Sequence, residues 1–213
     1  MARPIGIKGS DTANKIRNCS LHLFAQLGYA AVSMRMIAEA VGVQAAALYN
    51  HFPTKQDILC DLLQVHMQDL IDAWEREREK DESPSAALLR FTRFHIRYHI
   101  QRPDEVFISY MELRNLEPEN FSAIENMRGR YEGYLRDILS AGQTSGSFSI
   151  ADAPVTSMAV ISMLTGVNTW YRSGGRLDVE DIEEIYEGLV SRCVGLDHSS
   201  TVAPEPNKIE DPV

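Results

Sequence analysis

The chain has 213 residues, 44% of them hydrophobic, which is enough to bury a sizeable core in one or two domains. Its net charge of −9 argues against wholesale nucleic-acid binding, and its three cysteines, Cys19, Cys60 and Cys193, are too far apart for a zinc site. They read as reduced thiols of a cytoplasmic protein. The charge is unevenly spread: residues 1–55 hold six Lys or Arg and two acids, a balance of +4, which leaves −13 for the rest. A basic segment joined to an acidic body points to a module that faces nucleic acid. The opening MARPIGIKGSD has no apolar run after it, and APVTSMAVISMLTGV is broken by Ser and Thr. Neither a secretory signal nor a membrane span of about 18 apolar residues is expected.

Taken in order, the elements are helical almost throughout. From Asp11, a candidate N-cap, apolar residues recur at Ile16, Cys19, Leu23, Phe24 and Leu27, and Gly28 stops the helix. Ser33 caps a short helix over 34–40 with Ile37, Ala40 and Val41 inward, and Gly42 ends it. Residues 44–50 form a third short helix, broken at Pro53. Thr54 caps a long helix from Lys55 to about Lys80, with Asp57 in its first turn. Ser83-Pro84 starts the next, over 85–101; Pro103 interrupts, and another helix follows to about Asn115. Pro118 begins a helix that Gly142 closes, Asp152 caps one to about Arg172, and Asp178 or Val179 starts the last, ending near Val194. This is an all-α reading of about nine helices without a strand. The domains expected are 9–69, 70–196 and a polar, Pro-rich tail, 197–213, without fixed structure.

The segment MIAEAVGVQAAALYNHFPTKQDIL combines a tight Gly turn with three alanines and a cluster of rings. Two short helices around such a turn have helix-turn-helix spacing, and the second helix of that motif enters the DNA major groove. Ala45, Ala46 and Ala47 then have a reason to be small, because a DNA backbone or base edge must come close. An alanine methyl also suits a thymine methyl. Gln44 suits an adenine edge or a phosphate, Tyr49 and His51 suit phosphate oxygens, and Lys55 adds charge. Phe52 reads as core, and an ordinary helical hairpin is the alternative.

The stretch from Ile16 to Leu59, carried by LFAQLGYAAVSMRMIAEAVGVQAAALYNHFPTKQDIL, resembles the DNA-binding domain of the TetR family of transcriptional regulators. The elements of the resemblance are Phe24…Gly28-Tyr29, Ser33 to Ala38, Gly42-Val43, and Leu48 to Phe52 followed by Lys55. Gln44-Ala45-Ala46 stands where the family often has Ser-Lys or Ser-Arg-Gly, which leaves the operator sequence open. The resemblance implies an all-α homodimer that binds a palindromic double-stranded operator. A small-molecule effector in the larger C-terminal domain would release it, without catalysis or a cofactor. By position, the implied DNA-facing set is Ser33, Arg35, Gln44, Ala45, Ala46, Tyr49, His51 and Lys55.

The body offers a dimer face and a pocket. Val155, Ala159, Ser162 and Gly166 make a small-residue row, and Ile182, Ile185, Tyr186 and Leu189 a second stripe, together a four-helix interface. Among the many rings and thioethers, Tyr98, Tyr110, Met127, Tyr131, Trp170 and Tyr171 are pocket candidates, with Arg93, Arg97 and Arg172 as phosphate-reading partners. MELRNL, RGRYEGYLRDIL, GSF and GVNTWYRSGGRL resemble the branch of the family that senses acyl-CoA thioesters. The implied alternative is a regulator of efflux or stress genes that answers drug-like hydrophobic ligands. His95 and His99 have an i, i+4 spacing that suits metal, but no acid completes a motif, so no metal is expected. No GxSxG, phosphate loop or other enzyme signature is found.

Overall fold

The computed structural model describes residues 6–196, with side chains from Asp11 onward. The tail 197–213 and part of the N-terminal arm lie outside the described residues. The helices are α1 (Gly6–Leu27), α2 (Met34–Val41), α3 (Ala45–Tyr49), α4 (Lys55–Glu77), α5 (Pro84–Ile100), α6 (Pro103–Met111), α7 (Pro118–Thr144), α8 (Ala153–Thr165), α9 (Val167–Trp170) and α10 (Val179–Cys193). Short 3-10 turns follow α1, at Tyr29–Ala31, and α6, at Leu113–Asn115. Among the described residues there is no strand.

The helix starts follow local chemistry. Ser33, Ser83 and Asp152 each accept a hydrogen bond from the backbone N–H three residues on. Thr54 with Asp57, and Asp178 with Asp181, form reciprocal capping boxes. Each such cap satisfies N–H groups that the helix itself leaves unpaired, and is worth about 1 kcal/mol. Gly42 at φ 76° closes α2 in the left-handed region, where its N–H reaches back to the Ala38 and Glu39 carbonyls.

Several expected boundaries move. Asp11 is not a cap, because α1 begins at Gly6 and runs through it. Ala38, not Ala40, joins Ile37 inside α2. The fourth helix ends at Glu77 rather than Lys80. Gly142 does not end α7. It sits buried inside the last turns, where the Phe148 ring folds back against it.

Ile16 and Phe24 of α1 are fully buried in one continuous core with Ile37, Leu48, Ile58 and Leu59. Phe24 meets the Tyr29 ring edge-on at 5.3 Å. Trp74, near the end of α4, packs edge-on against Phe91 at 5.0 Å. The long helix α4 therefore runs from the N-terminal helices into the body without a linker. α5 lies between α7, α8 and α10, and α6 packs directly on α1.

A Cβ on Gly142 would lie 1.9 Å from the Phe148 ring, so Gly142→Ala must displace that ring. The expected loss is about 1–3 kcal/mol, the usual cost of overpacking. Urea unfolding checks this: an unchanged midpoint would show that the ring moves at no cost.

Candidate DNA-reading face and effector cleft

The turn at Gly42 sets α3 against α2 so that Leu48 is fully buried while Gln44, Ala45, Ala46 and Tyr49 face outward. Tyr49 is 50% exposed although aromatic. Ser33 and Arg35 are exposed beside this face, and His51 is half-buried. Arg35 pairs with Glu39 at 2.9 Å, a solvent-exposed contact of little worth that a stronger anion displaces. Lys55 sits differently. Its ammonium donates to the carbonyls of Tyr29 and Val32, both at 2.7 Å, and lies 4.1 Å from the centre of the Tyr29 ring. Burial lowers its pKa, partly opposed by Glu112. Lys55 thus braces the turn beneath the reading face instead of pointing a free charge from it.

In the body a cleft of about 740 Å³ opens between α6 and α8–α9. Val106, Phe107, Tyr110 and Met111 form one wall, and Ser162, Thr165, Gly166, Asn168 and Arg172 another. Phe107 and Met111 are exposed apolar side chains, and Met111 is 54% exposed. Two of the expected pocket residues, Tyr110 and Arg172, line this cleft. The others are elsewhere. Arg97 forms a two-pronged pair with the buried Glu183 at 2.8 and 2.7 Å, and Arg93 pairs with Glu187, so both guanidiniums join α5 to α10. Tyr98 is buried on α5, with Arg102 over its ring at 3.9 Å. Burial pushes its hydroxyl up to about 12. Tyr131 is core, Met127 and Tyr171 pack against the core, and Trp170 stacks on Tyr186.

Behind the cleft runs a buried polar relay. The Tyr110 hydroxyl meets Thr165 Oγ1 at 3.1 Å, which meets His95 Nε2 at 3.0 Å, and His95 Nδ1 meets the Tyr131 hydroxyl at 3.1 Å. His99 stacks on His95 at 3.8 Å, and His66 joins them from α4. Desolvation holds all three imidazoles neutral: His66 falls to about 4, His95 to about 3, and His99 well below its ordinary value. No metal-binding group of three ligands occurs among the described residues.

The expected dimer stripes are partly exposed. Val155, Ala159 and Ile185 are exposed, Tyr186 and Leu189 are half-buried, and Met158 adds to the patch. Ser162 and Gly166 sit at the edge of the cleft. Ile182 is different: it is 1% exposed, turned into the core, and cannot reach a partner.

Comparison with known proteins places these features. The family model "Bacterial regulatory proteins, tetR family" matches residues 16–62, and "Tetracyclin repressor-like, C-terminal domain" matches 81–194. The chain belongs to the TetR family of transcriptional regulators. It is therefore a DNA-binding regulator and not an enzyme. The HTH-type transcriptional repressor KstR2 of Rhodococcus jostii (strain RHA1) is 25% identical over 179 residues, 83% of this chain and 88% of the relative. A TetR-family regulatory protein from Rhodococcus RHA1 superposes with a TM-score of 0.83 at 26% identity, covering 87% of this chain and 98% of the other. AibR, solved in complex with isovaleryl coenzyme A and operator DNA, shares the fold at a TM-score of 0.78 and 23% identity, covering 87% and 100%. No helix of the described residues is long and apolar enough to cross a membrane.

In this TetR-family chain the two regions are tied by a side chain that sequence reasoning did not single out. Glu112, next after α6 and only 6% exposed, accepts the Tyr29 N–H at 3.0 Å and the Asn115 side-chain amide at 2.5 Å. Gln56 of α4 bonds the Tyr29 hydroxyl at 3.1 Å and the Asn115 carbonyl, and accepts the Glu117 N–H at 3.2 Å. His22 of α1 meets Asp104 of α6 at 3.3 Å. A lone acid between Met111 and Leu113 was the available sequence signal.

The histidines set the acid stability. Below the unfolded value of 6.5 the unfolded chain takes up protons that the neutral, buried His66, His95 and His99 refuse. Stability is complete above pH 6.5 and falls as pH drops toward 4, by up to about 1.4 kcal/mol per pH unit for each histidine. Urea unfolding at pH 7.5, 6 and 5 measures this; equal stability at all three would mean the rings are solvated.

Proposed function

We propose that this regulator is a repressor that binds a palindromic operator as a homodimer and leaves it when a small molecule, an acyl-CoA thioester, occupies the cleft. The observation that carries the reading is the place of α6. It walls the cleft with Phe107, Tyr110 and Met111, and Glu112 immediately after it holds the backbone of Tyr29 beside the reading face. A ligand that moves α6 is thereby coupled to the orientation of α3. In a dimer of TetR type the two reading helices must sit about 34–36 Å apart to meet successive major grooves, so a small rotation costs base and phosphate contacts.

The proposed contact set is Ser33, Arg35, Gln44, Ala45, Ala46, Tyr49 and His51, with Lys55 beneath it as a brace. The proposed dimer face is Val155, Met158, Ala159, Ile185, Tyr186 and Leu189, joined by Trp170, which stacks on Tyr186 and is 48% exposed. The proposed pocket wall keeps Tyr110 and Arg172 and adds Phe107 and Met111. Support for an acyl-CoA comes from the size and apolar wall of the cleft, the cation at its rim, and the coenzyme A complex of AibR, a protein of the same fold. With Arg93 and Arg97 committed to α10, Arg172 is the cleft's guanidinium for the CoA phosphates. The proposed domain division follows the same lines, with residues 9–69 reading DNA and 70–196 holding effector and partner.

Duplexes selected from a random pool on the purified protein supply the operator, and fluorescence anisotropy the affinity. Tyr49→Ala is expected to weaken binding about tenfold, about 1.4 kcal/mol, and affinity to fall steeply with salt. A Tyr49 variant that binds like the wild type would remove that residue from the interface. Acyl-CoAs should release the duplex where free acids do not; release by drug-like hydrophobes alone would favour control of efflux genes. Glu112→Ala should bind the operator but need at least about tenfold more acyl-CoA for release. An unchanged release curve would sink the coupling through α6.

A further inference from the structure

Behind Tyr110 lies a small cavity of about 20 Å³, bounded by His66, His95, His99, Tyr110, Arg128 and Tyr131 among others. That is the space of roughly one water-sized oxygen. Tyr110 borders both this cavity and the open cleft, so its ring is the partition between them. Arg128 covers the Tyr110 ring at 4.9 Å and donates to the Ser109 carbonyl at 3.4 Å, which holds the partition in place.

The hydrogen-bonding capacity of the wall is incomplete. His95 has both nitrogens engaged, by Tyr131 and Thr165. His99 Nδ1 lies 2.8 Å from the His95 carbonyl, which can only accept. Nδ1 therefore carries the proton, and in a neutral ring Nε2 is left as a bare acceptor. His66 is 4% exposed and its Nδ1 has no partner. Its ring lies 6.4 Å from that of His99 at an angle of 85°, a span compatible with one oxygen bonded to both. A buried polar atom left unpaired costs about 1–3 kcal/mol, so a guest that bonds His66 Nδ1 is favoured, and the free lone pair of His99 Nε2 gives it a second partner.

We propose that this histidine cavity is the inner end of the effector site and recognises a hydroxyl group on the effector. The proposal rests on the effector reading above. A ketone or carboxylate oxygen has no hydrogen to give His99. An ammonium has no lone pair to offer His66 in its Nδ1–H form, and it would be buried near Arg128. A hydroxyl donates to His99 and accepts from His66, and buried neutral rings suit a neutral guest. Tyr110 must turn aside to admit it, and that exchanges its bond to Thr165 for contact with the ligand's carbon frame. A site built to bond a hydroxyl discriminates strongly against the analogue without one.

The test uses the full chain and two matched pairs of probes. One pair is 4-hydroxycyclohexanecarboxyl-CoA and cyclohexanecarboxyl-CoA, and the other is the two free acids. Calorimetry gives the affinities, and nitrogen-15 spectra of the imidazoles report on His66 and His99. The hydroxylated member of at least one pair is expected to bind about tenfold more tightly and to shift both imidazoles. His66→Leu, which replaces an unpaired polar ring with an apolar side chain, should bind the two members of a pair alike. If only the free acids show the preference, the cavity proposal stands and the coenzyme A part of the function fails. Equal binding within both pairs, a preference that survives His66→Leu, imidazoles that do not shift, or no binding of any probe would each overturn it, leaving a cavity that holds water alone.

Discussion

The carboxylate of Glu112 is almost wholly removed from water, and a buried charge is stable only where other groups complete its hydrogen bonds. Here the Tyr29 N–H and the Asn115 amide do so, with the Lys55 ammonium close enough to feel its charge. Lys55 in turn holds the Tyr29 and Val32 carbonyls, and the capped start of α4 holds Lys55. The turn after α1, the first residue of α4 and the end of α6 are therefore one polar knot. α2 and α3 follow directly from that turn, so the attitude of the reading face depends on it. A contact of this kind transmits motion, because it has few alternative geometries that keep every group paired.

The body separates two kinds of polar chemistry. Its charged pairs, such as Arg97 with Glu183 and Arg130 with Glu75, tie helices together. Behind the cleft the buried polar groups are neutral: three histidines, two tyrosine hydroxyls and a threonine. Desolvation decides which kind can live where, since an imidazole can discard its proton and a guanidinium cannot. The cleft lies between the two, with an apolar wall on α6 and Arg172 at its rim.

Much of the architecture was legible in the sequence because it is local. Caps at Ser33, Thr54, Ser83, Asp152 and Asp178 act within three residues, and the turn at Gly42 follows from the one residue that accepts a left-handed backbone freely. The helix-turn-helix and the exposed alanines of α3 follow from the same local rules, as does the all-α class. Gly142 misled for a reason of the same kind. A glycine late in a helix reads as a stop, and only the returning Phe148 ring shows that it is there for space.

What the residues alone determined is thus the class of fold, the reading motif and the family to which the chain belongs. Which polar side chain finds which partner was decided by the tertiary structure. Arg93 and Arg97 lie four apart on α5 and read as free cations in the sequence, but α10 lies over them with Glu183 and Glu187 and pairs both. Glu112 and Tyr29 are 83 residues apart, and His95 and Thr165 are 70 apart. No periodicity reports on such pairs, because their meeting depends on how whole helices pack and not on the spacing within any one of them.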